Sequence, residues 1–266
     1  MLEEEAPGYS TEETARLELI WGDGFLSPGG PTEVARILGG HDISGRAVLD
    51  IGSGAGGVDI ALVRDHGAGI VVGVDVQQEF VDLATERALA TGLGDRISYR
   101  AIEPGPLPFE DASFDVVFSK DAIIHVQEKE ALYAEAFRVL RTGGRLLVGD
   151  WLRGEGDAVA AQVDTFVEAA GHGFAMVSLR DVGAMIERVG FNDIELEDRR
   201  SWYLRDAIAE LDRLRGEMRS QFVERWGEDA ARAEIEFWEV LVESLSTGAL
   251  CPGHARARKP TGSLTF

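Results

Sequence analysis

Val48-Leu49-Asp50-Ile51-Gly52-Ser53-Gly54-Ala55-Gly56-Gly57 runs from apolar residues into an acid and then sets four glycines within six residues. The pattern reads as a strand that stops at a tight turn, where backbone must approach a ligand closely and a Cβ would obstruct it. Val58 to His66 has helical spacing, so the turn opens onto a helix N-terminus. A second apolar run, Ile70-Val71-Val72-Gly73-Val74-Asp75, ends in another acid eighteen residues past Gly57. Strand, glycine turn, helix, strand and acid together predict the nucleotide-binding half of a doubly wound sheet, the acid being placed for ribose hydroxyls. The competing reading is a tight turn with no ligand, and the position of Asp75 weighs against it.

The flanking sequence extends the alternation. Strands are predicted near 46–51, 70–75, 95–101, 114–118 and 144–150, with helices near 57–66, 77–91 and 127–141, which implies a parallel sheet. Before them, a capping box at Ser10-Thr11-Glu12-Glu13 starts a helix over 10–20, and Pro31 opens another that ends before Gly39-Gly40. Between these two lies Trp21-Gly22-Asp23-Gly24-Phe25-Leu26-Ser27-Pro28-Gly29-Gly30, a flexible loop with more apolar surface than a simple connector needs. Such a loop suits a lid. After Asp150 the pattern predicts an inserted helix over 152–175, a helix over 178–189, a strand over 191–199, two helices within 203–247 and a last strand over 253–259.

Composition narrows the function classes. The chain has 266 residues, 45% of them hydrophobic, enough for one elaborated domain with a sizeable core. Its net charge is −21, and only three lysines (Lys120, Lys129, Lys259) stand among 26 basic residues. Such a surface repels phosphate backbones, so no nucleic-acid partner is expected. The single cysteine, Cys251, excludes an intramolecular disulfide framework and a Cys-based zinc site, and no metal is expected. No apolar run approaches the roughly 18 residues of a membrane span, and the acidic start Met1-Leu2-Glu3-Glu4-Glu5 is unlike a signal peptide. A cytoplasmic protein is the expectation.

Asp50, two residues before Gly52, sharpens the reading of the turn, because dinucleotide-binding strands usually run apolar into the first glycine. Leu49-Asp50-Ile51-Gly52-Ser53-Gly54 resembles the first motif of class I S-adenosylmethionine-dependent methyltransferases, and Phe109-Glu110-Asp111-Ala112-Ser113-Phe114-Asp115 resembles the segment ahead of that family's fourth strand. The resemblance implies an α/β fold: a doubly wound, seven-stranded, Rossmann-like sheet whose last strand is reversed. It also implies an N-terminal helical lid over 1–40 and a methyltransferase domain over 41–266 with helical insertions at about 152–175 and 203–247. It places S-adenosyl-L-methionine against Leu26 and Ser27 of the lid, Asp50, Gly52 and Gly54 of the turn, Asp75 and Val76 after the second strand, Glu103 after the third, and Lys120 at the end of the fourth. For Glu103, an adenine contact and a solvated loop acid are equally good readings.

Ser119-Lys120-Asp121-Ala122-Ile123-Ile124-His125 follows the fourth strand, on the rim where an open parallel sheet binds its ligands. A carboxylate and an imidazole four residues apart there can orient an amine and accept its proton. A histidine in that position is also often purely structural. The segment resembles that of phosphoethanolamine and sarcosine/dimethylglycine N-methyltransferases. Gly8-Tyr9-Ser10, Leu17-Glu18-Leu19-Ile20-Trp21-Gly22 and Phe25-Leu26-Ser27-Pro28-Gly29-Gly30 are similar to the lid of the former. The resemblance implies that Tyr9 and His125 form a latch over the substrate and that Asp121 contacts the amine. It also maps residues that grip phosphate in that family onto Trp151, His172, Phe174 and the neighbourhood of Leu241. These departures remove charge-assisted donors, each worth roughly 1.5–3 kcal/mol, and offer π faces for an ammonium group instead.

The expected activity is therefore methyl transfer to a small amine or amino acid. A methyl acceptor at carbon, oxygen or sulfur of a small natural product is the alternative within the fold. A catalytically silent cofactor-binding regulator is the alternative from another class, and a nicotinamide dehydrogenase is a distant fourth. A small-molecule amine is the expected partner. The helices of 203–247 suit either a cap over the pocket or an interface in a homo-oligomer.

Overall fold

In a computed structural model of the chain, residues 8–262 are described. A seven-stranded sheet runs through the middle in the order β3-β2-β1-β4-β5-β7-β6. Its strands are β1 (Ala47–Ile51), β2 (Ile70–Asp75), β3 (Ile97–Ala101), β4 (Phe114–Lys120), β5 (Leu140–Asp150), β6 (Asn192–Asp198) and β7 (Gly253–Arg258). The first five pair in parallel, and β7 inserts antiparallel between β5 and β6. The order steps outward from β1 in both directions, so the carboxyl ends of β1 and β4 flank the switch point where such sheets bind ligands.

Helices cover both faces. They are α1 (Thr11–Trp21), α2 (Gly30–Leu38), α3 (Gly57–Arg64), α4 (Gln78–Ala90), α5 (Lys129–Val139), α6 (Ala160–Ala170), α7 (Leu179–Val189), α8 (Arg200–Arg215), α9 (Arg219–Trp226) and α10 (Glu228–Thr247). Buried Val48 and Val116 of the sheet share one core with Val34, Ile37 and Leu38 of α2 and Leu62 of α3, while Leu49, Val117 and Leu146 share the opposite core with Tyr133 of α5 and Ile186 of α7. The alternation of β1 side chains between these two cores is the strand's own period of two.

Three boundaries differ from the sequence reading. The region 203–247 holds parts of three helices rather than two, because Gly216 ends α8 and Gly227, with φ +88°, separates α9 from α10. The helix expected over 152–175 shrinks to Ala160–Ala170 after a short 3-10 turn, and Gly171 stops it in the left-handed conformation. Finally, α2 is a core layer of the sheet and not part of a cover. A buried polar knot fixes it there: Glu33 accepts from Arg199 Nε at 3.1 Å and Nη2 at 2.9 Å, and pairs with His254 Nε2 at 2.8 Å.

α1 and the loop after it do lie outside the sheet, packed on a third apolar cluster built from α1, α6, α8 and α10 around the fully buried Trp238. Trp21 Nε1 donates to Glu210 at 2.5 Å and Trp238 Nε1 donates to the same carboxylate at 3.2 Å, pinning the loop to the carboxyl-terminal helices. Among the described residues no helix is long and apolar enough to cross a membrane.

Candidate active site

The glycine turn after β1 is held by its own backbone and by β2. Gly52 N and Ser53 N both donate to Val74 O, at 2.8 and 3.0 Å. Gly52, Gly54 and Gly56 have φ of +78°, +49° and +85°, which side-chain-bearing residues rarely adopt. A Cβ on Gly52 would fall 2.1 Å from the methyl of Ala122, so the turn and the β4 rim are in direct contact. Asp75 closes the cradle from β2, accepting from Gly54 N at 2.9 Å and Gln77 N at 3.0 Å. Burial raises its carboxyl above the ordinary range, against the pull of those backbone donors. Asp50 is sealed from solvent beside Asp59. Burial pushes the Asp50 carboxyl up to about 7 and that of Asp59 well above normal, so the pair retains a proton near neutral pH.

The loop before the sheet is fastened to this turn through residues that the sequence reading passed over. Gly57 N donates to Gly24 O at 3.0 Å. Glu18 Oε1 accepts from Gly24 N at 2.7 Å and from Arg87 Nη2 at 2.7 Å, while Arg87 also donates to Ala55 O inside the turn. Leu26 then rests on Gly54, where an added Cβ would meet its Cδ1 at 3.2 Å. Nothing in the local sequence marks Glu18 and Arg87 as partners, because they are 69 residues apart.

At the end of β4 the chain turns sharply. Asp121 has φ +56°, and its N–H donates to Gly149 O at 2.8 Å. Strain of this kind collects at functional sites. Lys120 Nζ donates to Asp121 Oδ2 at 2.7 Å and also to Ser27 Oγ, so one ammonium links the rim to the loop. The Asp121 side chain is 3% exposed, and its Oδ1 has no hydrogen-bond partner among the described residues. His125 ends the next 3-10 turn. Its ring lies edge-on to Tyr9, with centroids 5.8 Å apart, and edge-on to Phe174 at 5.1 Å. Crowding by its neighbours and, secondarily, the charges of His172 and Lys129 lower the imidazole pKa to about 4. His125 is nonetheless exposed and stands outside the cavity lining, and its ring is neutral at pH 7.

Tyr9, Leu26, Ser27, Asp121, Trp151, His172 and Phe174, seven of the site residues singled out from sequence, line one cavity of about 300 Å³. Tyr9 stacks on His172 at 4.3 Å, and His172 Nε2 pairs with Glu13 at 2.6 Å. Burial raises the Tyr9 phenol, so it stays protonated and can donate. Val76 and Glu103 stand apart, both exposed beyond the ends of β2 and β3, outside this cavity. The helices of 203–247 do reach it: Ala230, Ala233, Glu234, Phe237 and Leu241 of α10 form a wall, as do Glu13, Arg16 and Leu17 of α1. Apart from Leu241, the sequence pattern did not select these residues, since each reads locally as an ordinary position on an amphipathic helix. Among the described residues no group of three or more His, Cys, Asp or Glu is arranged to hold a metal.

A methyltransferase domain model matches residues 49–148, the span from β1 to β5 that contains the turn and the rim. Residues 49–148 therefore carry a methyltransferase domain, set in a sheet that resembles those of class I S-adenosylmethionine-dependent methyltransferases. Among proteins of known activity it is similar to phosphoethanolamine N-methyltransferase 1 of Arabidopsis thaliana, 28% identical over 236 residues, which are 88% of this chain and 47% of that one. Among solved structures it is similar to phosphoethanolamine N-methyltransferase 2 of Haemonchus contortus in complex with phosphomonomethylethanolamine and S-adenosylhomocysteine. That match has a TM-score of 0.85 and 25% identity and covers 95% of this chain and 58% of the other. A putative sarcosine dimethylglycine methyltransferase from Galdieria sulphuraria shares the fold at TM-score 0.79, with 19% identity and coverage of 94% and 98%. The chain spans about half the length of the curated relatives it matches.

The turn fits the cofactor of that class. Three left-handed glycines leave a face without Cβ atoms, and the Asp75 carboxylate stands at the strand end where ribose hydroxyls are held. Gly52, Gly54 and Asp75 are placed where they could hold it, with Leu26 brought over the turn by the loop.

Proposed function

We propose that the protein transfers a methyl group from S-adenosylmethionine to the nitrogen of a small amine. The observation that carries the reading is Asp121 Oδ1, a buried carboxylate oxygen with no partner among the described residues, lining the cavity on the rim next to the glycine turn. Leaving such an oxygen unpaired costs about 1–3 kcal/mol or more, and an amine N–H of the acceptor satisfies it.

When bound, the cofactor supplies an electrophilic methyl on a sulfonium centre. The amine must present a lone pair, and as the new N–C bond forms the C–S bond breaks and its electrons stay on sulfur. Asp121 holds the amine by its N–H and directs the lone pair away from itself. An acceptor that arrives as an ammonium must lose one proton before the attack, and His125, which is exposed, relays it through water to solvent. Tyr9 covers His125 edge-on and donates from its protonated phenol, acting as the latch expected of the pair. Lys120 bonds Asp121 and ties it to Ser27, so the loop must be seated for the rim to be complete. Much of the acceleration then comes from alignment inside a cavity screened from water. Residues 8–29 supply the covering α1 and loop, and residues 30–262, α2 included, the cofactor-binding body.

Kinship with phosphoethanolamine and sarcosine/dimethylglycine methyltransferases supports nitrogen as the acceptor. The test is to incubate the purified protein with methyl-labelled cofactor and phosphoethanolamine, glycine, sarcosine, dimethylglycine and simple secondary amines. Label in an amine is the expected result. Label only in alcohols, thiols or carbon acids would move the reaction to the other methyl acceptors.

A further inference from the structure

The cavity next to Asp121 is not built for a phosphorylated acceptor. From its walls we infer that the acceptor is a cationic amine carrying an apolar body and no phosphate, a refinement that rests on the amine reading above.

Three observations carry this. The first is charge. The lining holds the carboxyl groups of Glu13, Asp121 and Glu234 against one guanidinium, that of Arg16. Arg16 is shared between two acids, with Nη1 at 2.8 Å from Glu12 and Nε, which makes no hydrogen bond among the described residues, at 3.4 Å from Glu234. Lys120 is also committed, to Asp121 and Ser27. Among the described residues, a phosphate dianion entering here would meet three carboxylates against Arg16 and His172, both already paired with acids, whereas an ammonium would be drawn in. Burial pushes the Glu234 carboxyl up to about 7, with Arg16 pulling against it and Glu13 adding to it.

The second is surface. Trp151, Phe166 and Phe174 form a connected aromatic wall, Phe166 lying 6.4 Å from Trp151 and 6.0 Å from Phe174 between centroids. Phe237 extends it, 5.9 Å from Phe166. Rings so grouped offer dispersion contact to an alkyl or aryl body and negative faces to an ammonium. The third is size. About 300 Å³ lies at the lower end of pockets that enclose drug-sized ligands, and a two-carbon amine would leave much of the wall uncovered.

The experiment measures kcat/KM by S-adenosylhomocysteine release for methylamine, N-methylbutylamine, N-methylbenzylamine and N-methylphenethylamine, with phosphoethanolamine and sarcosine alongside. The expected result is a rise of about fourfold for each added methylene that is buried, and values for the two anionic acceptors lower by at least about 100-fold. Phe237→Ala should flatten the rise while the cofactor dissociation constant stays the same. Preference for phosphoethanolamine or sarcosine, or a flat response to apolar size, would overturn the inference and leave N-methylation standing. Turnover confined to alcohol, thiol or carbon acceptors would overturn both.

Discussion

The carboxylate of Glu18 in α1 and the guanidinium of Arg87 in α4 meet at 2.7 Å, and each also binds backbone across the gap: Glu18 that of Gly24, Arg87 that of Ala55. One ion pair thus fastens the loop over the cofactor turn to the turn itself. Arg87→Met should raise the cofactor dissociation constant by roughly tenfold, about the loss of one charge-assisted bond at a part-exposed site. Turnover at saturating cofactor should change much less. Calorimetric titration with S-adenosylhomocysteine gives the first value and saturation kinetics the second.

Asp121 sits at φ +56°, a conformation that asparagine tolerates, so Asp121→Asn alters charge without forcing the backbone. The substitution removes the charge-assisted bond to the acceptor and should lower kcat/KM for the amine by about 10- to 100-fold. Near-wild-type kcat/KM in the Asn variant would show that the unpaired oxygen does not hold the acceptor.

His125→Ala should reduce turnover by roughly 10²- to 10⁴-fold, the usual worth of a positioned base, with little effect on cofactor affinity. The depressed pKa also has a direction in stability. An imidazole titrating near 4 in the fold and near 6.5 unfolded binds more protons when unfolded across that interval. Its contribution is therefore complete above about pH 6.5 and is lost as pH falls toward 4. The acid side of the melting profile should be less steep in His125→Ala than in the parent.

Glu33 lies fully buried between Arg199 and His254 and joins α2 to the start of α8 and to β7. Although burial alone would raise its carboxyl, the bonds from His254 and Arg199 hold it below the usual value. A carboxyl with a depressed folded pKa stabilises the protein above its unfolded pKa and loses that contribution as pH falls through the folded one. Glu33→Ala leaves buried Arg199 with only the 3.7 Å pairing to half-exposed Glu197 and should cost up to about 3–5 kcal/mol, visible as a large fall in urea midpoint. A midpoint within experimental scatter of the parent would remove the knot from the stabilising set.

Much of this molecule was legible in sequence because its signals are local. The apolar runs of β1, β2 and β5, the glycine cluster and the capping box at Ser10 each follow from nearest-neighbour sterics and hydrogen bonding. The rim residues Lys120, Asp121 and His125 were readable for the same reason, since a strand end in a parallel sheet is a defined place. Less was legible where helices follow one another without a sheet to set their phase. Two helices were expected in 203–247 because the charged i,i+4 pattern continues past Gly216, and only backbone conformation shows the breaks at 216 and 227.

The sequence by itself therefore determined the cradle and the rim: which backbone must lack Cβ atoms, which acid ends β2, and which side chains follow β4. Tertiary structure alone decided what faces them. Glu13, Arg16 and Glu234 reach the cavity because α1 and α10 cross it, and Glu18 finds Arg87 across 69 residues. Those encounters depend on burying the cluster around Trp238, an energy that is shared among many contacts and leaves no mark on any one stretch of chain.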